Sequence, residues 1–365
     1  MEAWYKELNE YIKQNEPDKR AKSKSWQIGI GLQQVDGLAT SAYLLDTARE
    51  HIEGYITMAQ AQQRLWSYYD ARASRRSIED RTREADLVAA RIAELLGEQA
   101  FQFSPIEWQN IHRRLFTGIF DHAGQWRTYN ISKKDWVLQG KSVIYASYES
   151  IASILAYDFK TEKEFVYAGL SLPAAIKHLA KFTSDIWQIH PFCEGNTRAT
   201  AVFIIKYMDT FGLKLLNDAF QKHSWYFRNA LVRANYNDIQ NDIYATTEYL
   251  EKFFSNLILG TDYELKNRFL HLGYKAVREG EEFQSAKNTD LNCKICTLNC
   301  SLEELSIIKL IQEQPQVTQK EIAAAIGKSV RTVQGRLNGL KARGILQRAQ
   351  GRRNGRWELC EITAP

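Results

Sequence analysis

The chain has 365 residues, 44% of them hydrophobic and 25% charged, with a formal charge of +5. This is globular composition, and the length suits two or three domains. The charged start MEAWYKELNEYIKQNEPDKR does not read as a secretory leader, no run reaches the roughly 18 apolar residues of a membrane span, and five cysteines without a secretory signal argue against a disulfide framework. A cytoplasmic protein is expected.

The charge is uneven. From Ile322 to Trp357 there are nine basic residues and no acid, which leaves −4 for the rest of the +5 chain. One C-terminal piece therefore carries the positive surplus, a balance that points to a polyanion partner for that piece.

Residues 1–100 read as helices. HIEGYITMAQAQQRLWSYYDAR is interrupted at Gly54. SIEDRTREADLVAARIAELLGEQAF opens on Ser77 with Asp80 three residues on, resembling a capping box, and stops at Gly97. From 101, SPIEWQNIHRRLFTGIF takes Ser104 as cap and Pro105 in its first turn, with Ile106, Ile111, Leu115 and Ile119 as its apolar face. DHAGQWRTYNISKKDWVLQGKSVIYAS changes character, and its aromatic and β-branched residues between polar breaks predict a short hairpin. Helical spacing returns in LPAAIKHLAKFTSDIWQI through Ile176, Leu179, Phe182, Ile186 and Ile189. TRATAVFIIKYMDTFG is apolar nearly all round, as the central helix of a bundle would be, with Gly212 closing it. Further helices are expected over 216–260, a charged connection over 261–300, and a small separate domain over 301–362.

The stretch WQIHPFCEGNTRATAVFIIKYM puts the most polar cluster of the chain at the entry to that central helix. A helix N-terminus offers unpaired N–H groups and partial positive charge, which suits phosphate. Gly195 permits close backbone approach. Asn196, Thr197 and Arg198 add side chains to a phosphate cradle, and Arg can grip two phosphate oxygens. Glu194 is a hard oxygen ligand of the kind Mg²⁺ accepts beside phosphates. His190 is the residue type best suited to act as a base near neutral pH. Such parts fit phosphoryl or nucleotidyl transfer.

His190-Pro191-Phe192-Cys193-Glu194-Gly195-Asn196-Thr197-Arg198 resembles the signature of the Fic family, and LFTGIFDHAGQWRTYNISK resembles that family's approach to its flap, with Ala123, Gly124 and Arg127 as recurrent residues. The resemblance covers roughly 101–260. It implies a mainly α fold, a Fic-type helical core with a short β-hairpin flap. It implies transfer of AMP from ATP to a hydroxyl of a target protein, self-modification included, with His190 as base and Glu194 holding Mg²⁺. The flap residues Ile131, Ser132, Lys133 and Lys134 would align the target by strand addition.

Two positions depart from the family's pattern: Thr197 follows Gly-Asn, and Ala201 stands where active relatives carry a second Arg. They leave open a transferase of another phosphate-containing group, or a transcriptional regulator or nucleotide binder with a degenerate site. The family also uses an inhibitory helix ending in Glu then Gly or Asn. Here Glu53-Gly54 supplies those residues within an inhibitory segment near 41–70, and Glu53 is expected to pair with Arg198 or with Arg49.

SLEELSIIKLIQEQPQVTQKEIAAAIGKSVRTVQGRLNGLKARGILQR reads as three helices. Thr318 and Glu321 form a capping box, Ser329 caps the third helix, and Val330, Val333, Leu337 and Leu340 form its inner face. Its outer side carries Arg331, Thr332, Gln334, Arg336, Asn338 and Lys341. Asn354-Gly355 signals a hairpin with Arg352, Arg353 and Arg356. This resembles a winged helix-turn-helix, which implies DNA as a partner, or else a protein partner, and a homodimer as an option. Cys293, Cys296 and Cys300, with His271 as a distant fourth, are candidate zinc ligands.

Overall fold

The computed structural model describes residues 16–71, 77–211, 219–274, 300–349 and 356–360, together with Trp4, Lys6, Asn9, Glu10, Tyr11 and Lys13. The side chains of Ser77 and Asp80, Gly212, Cys293, Cys296, Arg352, Arg353, Asn354 and Gly355, all singled out above, lie outside the described residues.

Helices dominate. In chain order they are α1 (Pro17–Gly31), α2 (Ala42–Glu53), α3 (Met58–Asp70), α4 (Ser77–Gly97), α5 (Pro105–Phe116), α6 (Ile151–Glu164), α7 (Leu172–Ile189), α8 (Asn196–Thr210), α9 (Ala219–Ala234, bent at His223) and α10 (Glu248–Leu259). A 3₁₀ turn, Leu32–Asp36, follows α1. Local chemistry accounts for the ends. Ser104 Oγ accepts from Glu107 N at the start of α5, and Ser171 caps α7 with proline in its first turn. The buried face of α5 is Trp108, Ile111, His112, Leu115 and Phe116; Ile106 is exposed, because the first turn of α5 projects past the core.

The centre is α8. Every residue from Asn196 to Met208 is buried, as a helix apolar on all sides requires. It packs among α4, α5 and α7. Its one buried ammonium, Lys206, donates to Leu95 O and Glu98 O at 2.8 Å each and so caps the C-terminal end of α4.

The flap differs from the expected β-hairpin. No strand forms between Phe120 and Ser147 among the described residues. The turn is closed by Asp135 N→Lys141 O and Gly140 N→Asp135 O at 3.0 Å each, and Lys133 N donates to Ser142 Oγ rather than to backbone. The carbonyls of the returning arm are drawn inward: Ile144 O accepts from Gln188 Nε2, and Ala146 O from Arg127. Carbonyls taken by side chains cannot build a ladder.

The C-terminal piece has α11 (Leu302–Glu313), α12 (Gln319–Ala325) and α13 (Val330–Ala342), then an antiparallel pair β1 (Leu346–Ala349) and β2 (Arg356–Leu359) in register Leu346↔Leu359. Capping boxes Ser301/Glu304 and Thr318/Glu321 start the first two helices. Val333, Leu337 and Leu340 are buried, whereas Val330, in the first turn, is exposed. Trp357 pins the wing, donating from Nε1 to Val317 O at 2.9 Å. Ser306 Oγ donates to Phe211 O at 3.1 Å and Lys309 Nζ to Ile258 O at 2.7 Å, so this piece sits on the C-terminal ends of α8 and α10. Among the described residues no helix is long and apolar enough to cross a membrane.

Candidate active site

The segment from His190 to Gly195 joins α7 to α8 and is held from three sides. Asn196 bridges it from within: Oδ1 accepts from Phe192 N at 3.0 Å and Nδ2 donates to Phe192 O at 2.7 Å. Asn196 thereby shapes the loop through one donor and its amide oxygen. Arg127 holds the outside, donating to His190 O at 2.8 Å, Ile189 O at 3.2 Å, Tyr129 O at 2.7 Å and Ala146 O. The third support, His112, was not read from the sequence. Gly124 N donates to its Nδ1 at 2.9 Å, which places the ring proton on Nε2, and that atom meets Glu194 O at 2.9 Å. Burial pushes His112 down to about 3, and its ring stacks on Phe192 at 3.7 Å. The available signal was its place on the apolar face of α5, four residues before Phe116.

Gly195 is required twice. Its φ of 78° is left-handed, and a Cβ there would lie 2.4 Å from the Phe116 ring. Gly124 meets the same condition, with φ 73° and Arg113 Cβ 2.5 Å from where its own Cβ would be.

His190 ends α7 in the left-handed region, φ 49°. Its Nδ1 lies 3.2 Å from Trp187 O; a carbonyl only accepts, so Nδ1 carries the proton and Nε2 keeps its lone pair. Burial, followed by the positive field of Lys133, holds the ring well below the usual histidine range. Tyr145 and Trp187 wall it, at centroid distances of 4.3 and 5.0 Å. Two buried polar atoms nearby, Tyr145 Oη and Asp135 Oδ2, have no hydrogen-bond partner among the described residues, while Asp135 Oδ1 accepts from Arg228 at 2.7 Å.

Glu194 points outward, its side chain 56% exposed, and meets Lys133 Nζ of the flap at 3.1 Å. Ile131 is half-buried, and Ser132 and Lys134 are exposed. Thr197 Oγ1 accepts from Trp187 Nε1 at 3.0 Å, so Thr197 fastens α8 to α7 from beneath the loop.

Arg198 is 2% exposed and sits between two carboxylates and an amide oxygen. Its Nη2 donates to Glu84 Oε1 at 2.6 Å, Nη1 to Gln33 Oε1 at 3.1 Å, and Nε lies 2.8 Å from Asp36 Oδ2. The guanidinium also lies over Phe116 at 4.8 Å. The expected pairs of Glu53 with Arg198 or Arg49 do not form: Glu53 meets Lys19 at 3.0 Å, and Arg49 meets Asp46 at 2.7 Å. Helix α2 packs on α1 and α3, which keeps Glu53 away from α8. The acids that reach Arg198 come from α4 and from the 3₁₀ turn after α1. The sequence does carry a trace of the second: Asp36-Gly37 repeats the acid–glycine pair of Glu53-Gly54.

Residues 102–208 match the family model described as Fic/DOC family. They span Gly124, Arg127 and the whole loop from His190 to Arg198. The chain carries a Fic/DOC domain. A second family model, described as winged helix-turn-helix DNA-binding, matches residues 304–347. The Fic domain's curated relatives include a protein of Escherichia coli (strain K12) named probable protein adenylyltransferase Fic, 27% identical over 150 residues, covering 41% of this chain and 67% of that protein. Similar solved structures include the N-terminal FIC domain of Bep8 from Bartonella sp. 1-1C, 18% identical with TM-score 0.41, covering 51% of this chain and 88% of that one. A Fic family protein from Desulfovibrio desulfuricans G20 is 12% identical with TM-score 0.44, covering 100% and 96%.

In the winged helix-turn-helix domain, Arg331, Thr332, Gln334, Asn338 and Lys341 are exposed on α13. Arg336 is turned back instead, 2.9 Å from Glu303 of α11. Arg356 is exposed but pairs with Glu358 at 2.8 Å. The acids missing from 322–357 are thus supplied by flanking elements. Cys300 is buried, its thiol pushed up to about 11 by burial, and the described residues contain no cluster of three metal-ligating side chains. His271 lies against Trp136.

Proposed function

We propose that the Fic domain transfers AMP from ATP to a hydroxyl on a target protein. The observation that carries this reading is the tautomer of His190: Nδ1 is bonded to Trp187 O, leaving Nε2 as a neutral base beside the N-terminus of α8. In the step envisaged, Nε2 takes the proton of the target hydroxyl, the oxygen bonds to the α-phosphorus, and the bond from phosphorus to the leaving pyrophosphate breaks. The amides at the start of α8 face the developing charge. Mg²⁺ needs only one or two carboxylates beside phosphate oxygens, and the outward, half-exposed Glu194 fits that demand; when bound it would neutralise phosphate charge. The strandless arm at Ile131–Lys134 leaves an edge on which a target segment adds as a strand.

A second reading rests on Arg198. With two carboxylates on its guanidinium, a nucleotide must compete for it, as in a regulator that binds nucleotide without turnover. Labelled ATP separates the readings. Label on protein from the α-phosphate only supports AMP transfer, label from the γ-phosphate only supports a kinase, and neither supports the regulator.

For the winged domain we propose duplex DNA, met by the exposed side of α13 through Arg331, Thr332, Gln334 and Lys341.

A further inference from the structure

The cations around the catalytic loop divide by what they already hold. Arg127 is committed to four carbonyls, Arg198 to Glu84, Asp36 and Gln33, and Arg228 to Asp135. The position one turn beyond Thr197, Ala201, is fully buried and carries no charge. A triphosphate brings several negative charges into this loop, more than helix dipoles alone balance. Lys133 differs from the arginines in one respect: its ammonium, at the end of a side chain 28% exposed, rests on Glu194, the carboxylate proposed above for the metal. Its backbone is anchored by Ser142 Oγ at 3.1 Å, while its four-carbon stem is free to swing.

We infer that Lys133 is the second phosphate-contacting cation of this site and that Glu194 holds it in reserve. Once Glu194 is given over to a divalent cation, the ammonium moves onto the phosphates beyond the α-phosphate. The flap thereby provides the charge absent at Ala201. An exchange of this kind conserves charge: one ion pair opens and two form. This inference rests on the nucleotide reading above, and the sequence reading of Lys133 as a target-docking residue does not include it.

The test is nucleotide affinity, by calorimetry on the full chain, for ATP and AMP, with Mg²⁺ and with a chelator. Lys133→Met is expected to weaken Mg²⁺–ATP roughly tenfold, the scale of one charged hydrogen bond, to leave AMP affinity little changed, and to be rescued by Lys133→Arg. Glu194→Gln is expected to tighten metal-free ATP binding when Lys133 is present and to do nothing in the Lys133→Met background. Equal ATP affinity of wild type and Lys133→Met under both conditions overturns this inference alone. Absence of ATP binding by the wild-type chain overturns it together with the AMP-transfer reading.

Discussion

Arg198 of the central helix donates to Glu84 of α4 at 2.6 Å, at a site where only 2% of the arginine is exposed. Asp36 completes the pair from the turn after α1. The loop's buried guanidinium is therefore already met by two carboxylates from the part of the chain that precedes the Fic domain.

Loosening that clamp should expose the cation. Glu84→Gln and Asp36→Asn are each expected to raise ATP affinity several-fold, measured by calorimetry. Arg198→Ala should do the reverse and also leave Glu84 and Asp36 without their cation, with a stability loss of about 1–3 kcal/mol in urea unfolding, because both carboxylates keep access to water. Glu53→Gln, remote from Arg198, should leave ATP affinity as it is. A rise in the Glu53 variant alone would contradict the geometry.

His190→Ala should lower AMP transfer by roughly 10²–10⁴-fold, the contribution of a positioned base. The histidine's depressed proton affinity sets the pH profile. Neutral Nε2 persists below the usual histidine range, so the acid limb of the transfer rate should fall below about pH 6.5, not at it.

The same burial makes stability depend on pH. His190 and His112 are both depressed, His112 to about 3. Below their unfolded value the unfolded chain binds protons that the folded chain does not. Each should remove about 1.4 kcal/mol per pH unit as pH falls from 6.5. Asp86 and Asp135, raised by burial, act in the opposite direction, so the histidine part is read as the difference between wild type and a histidine variant below about pH 6.5. Unfolding of His112→Leu should show a shallower slope there than wild type.

Gly195→Ala should cost at least about 1–2 kcal/mol from the left-handed backbone alone, plus the clash with Phe116. In a Phe116→Ala background the cost should shrink toward the backbone part. Equal costs in both backgrounds would remove the steric reading.

Arg331→Ala should weaken DNA binding and flatten its salt dependence, followed by fluorescence anisotropy across a salt series. Arg336→Ala, whose partner is Glu303, should change thermal stability of the winged domain more than DNA affinity. The opposite ranking would place Arg336 at the nucleic acid.

Much was legible along the chain because it depends on near neighbours. Helix caps such as Ser104, Thr318 and Ser329 act within three residues, and the all-round apolar run of α8 announces a central helix. The loop from His190 to Arg198 was visible for the same reason: its residues lie within nine positions. What escaped lies between distant segments. Asp36 and Glu84 stand 162 and 114 residues before Arg198, and no local pattern states which acid will face a buried guanidinium. Low dielectric and tight packing make that choice, because a buried cation must be matched by whichever carboxylates the packed helices bring. The flap failed to become a ladder for a related reason. Arg127 and Gln188 take carbonyls that a strand partner would need, and only the folded chain puts those side chains beside them. Local order wrote the parts of the site; long-range packing assigned their partners.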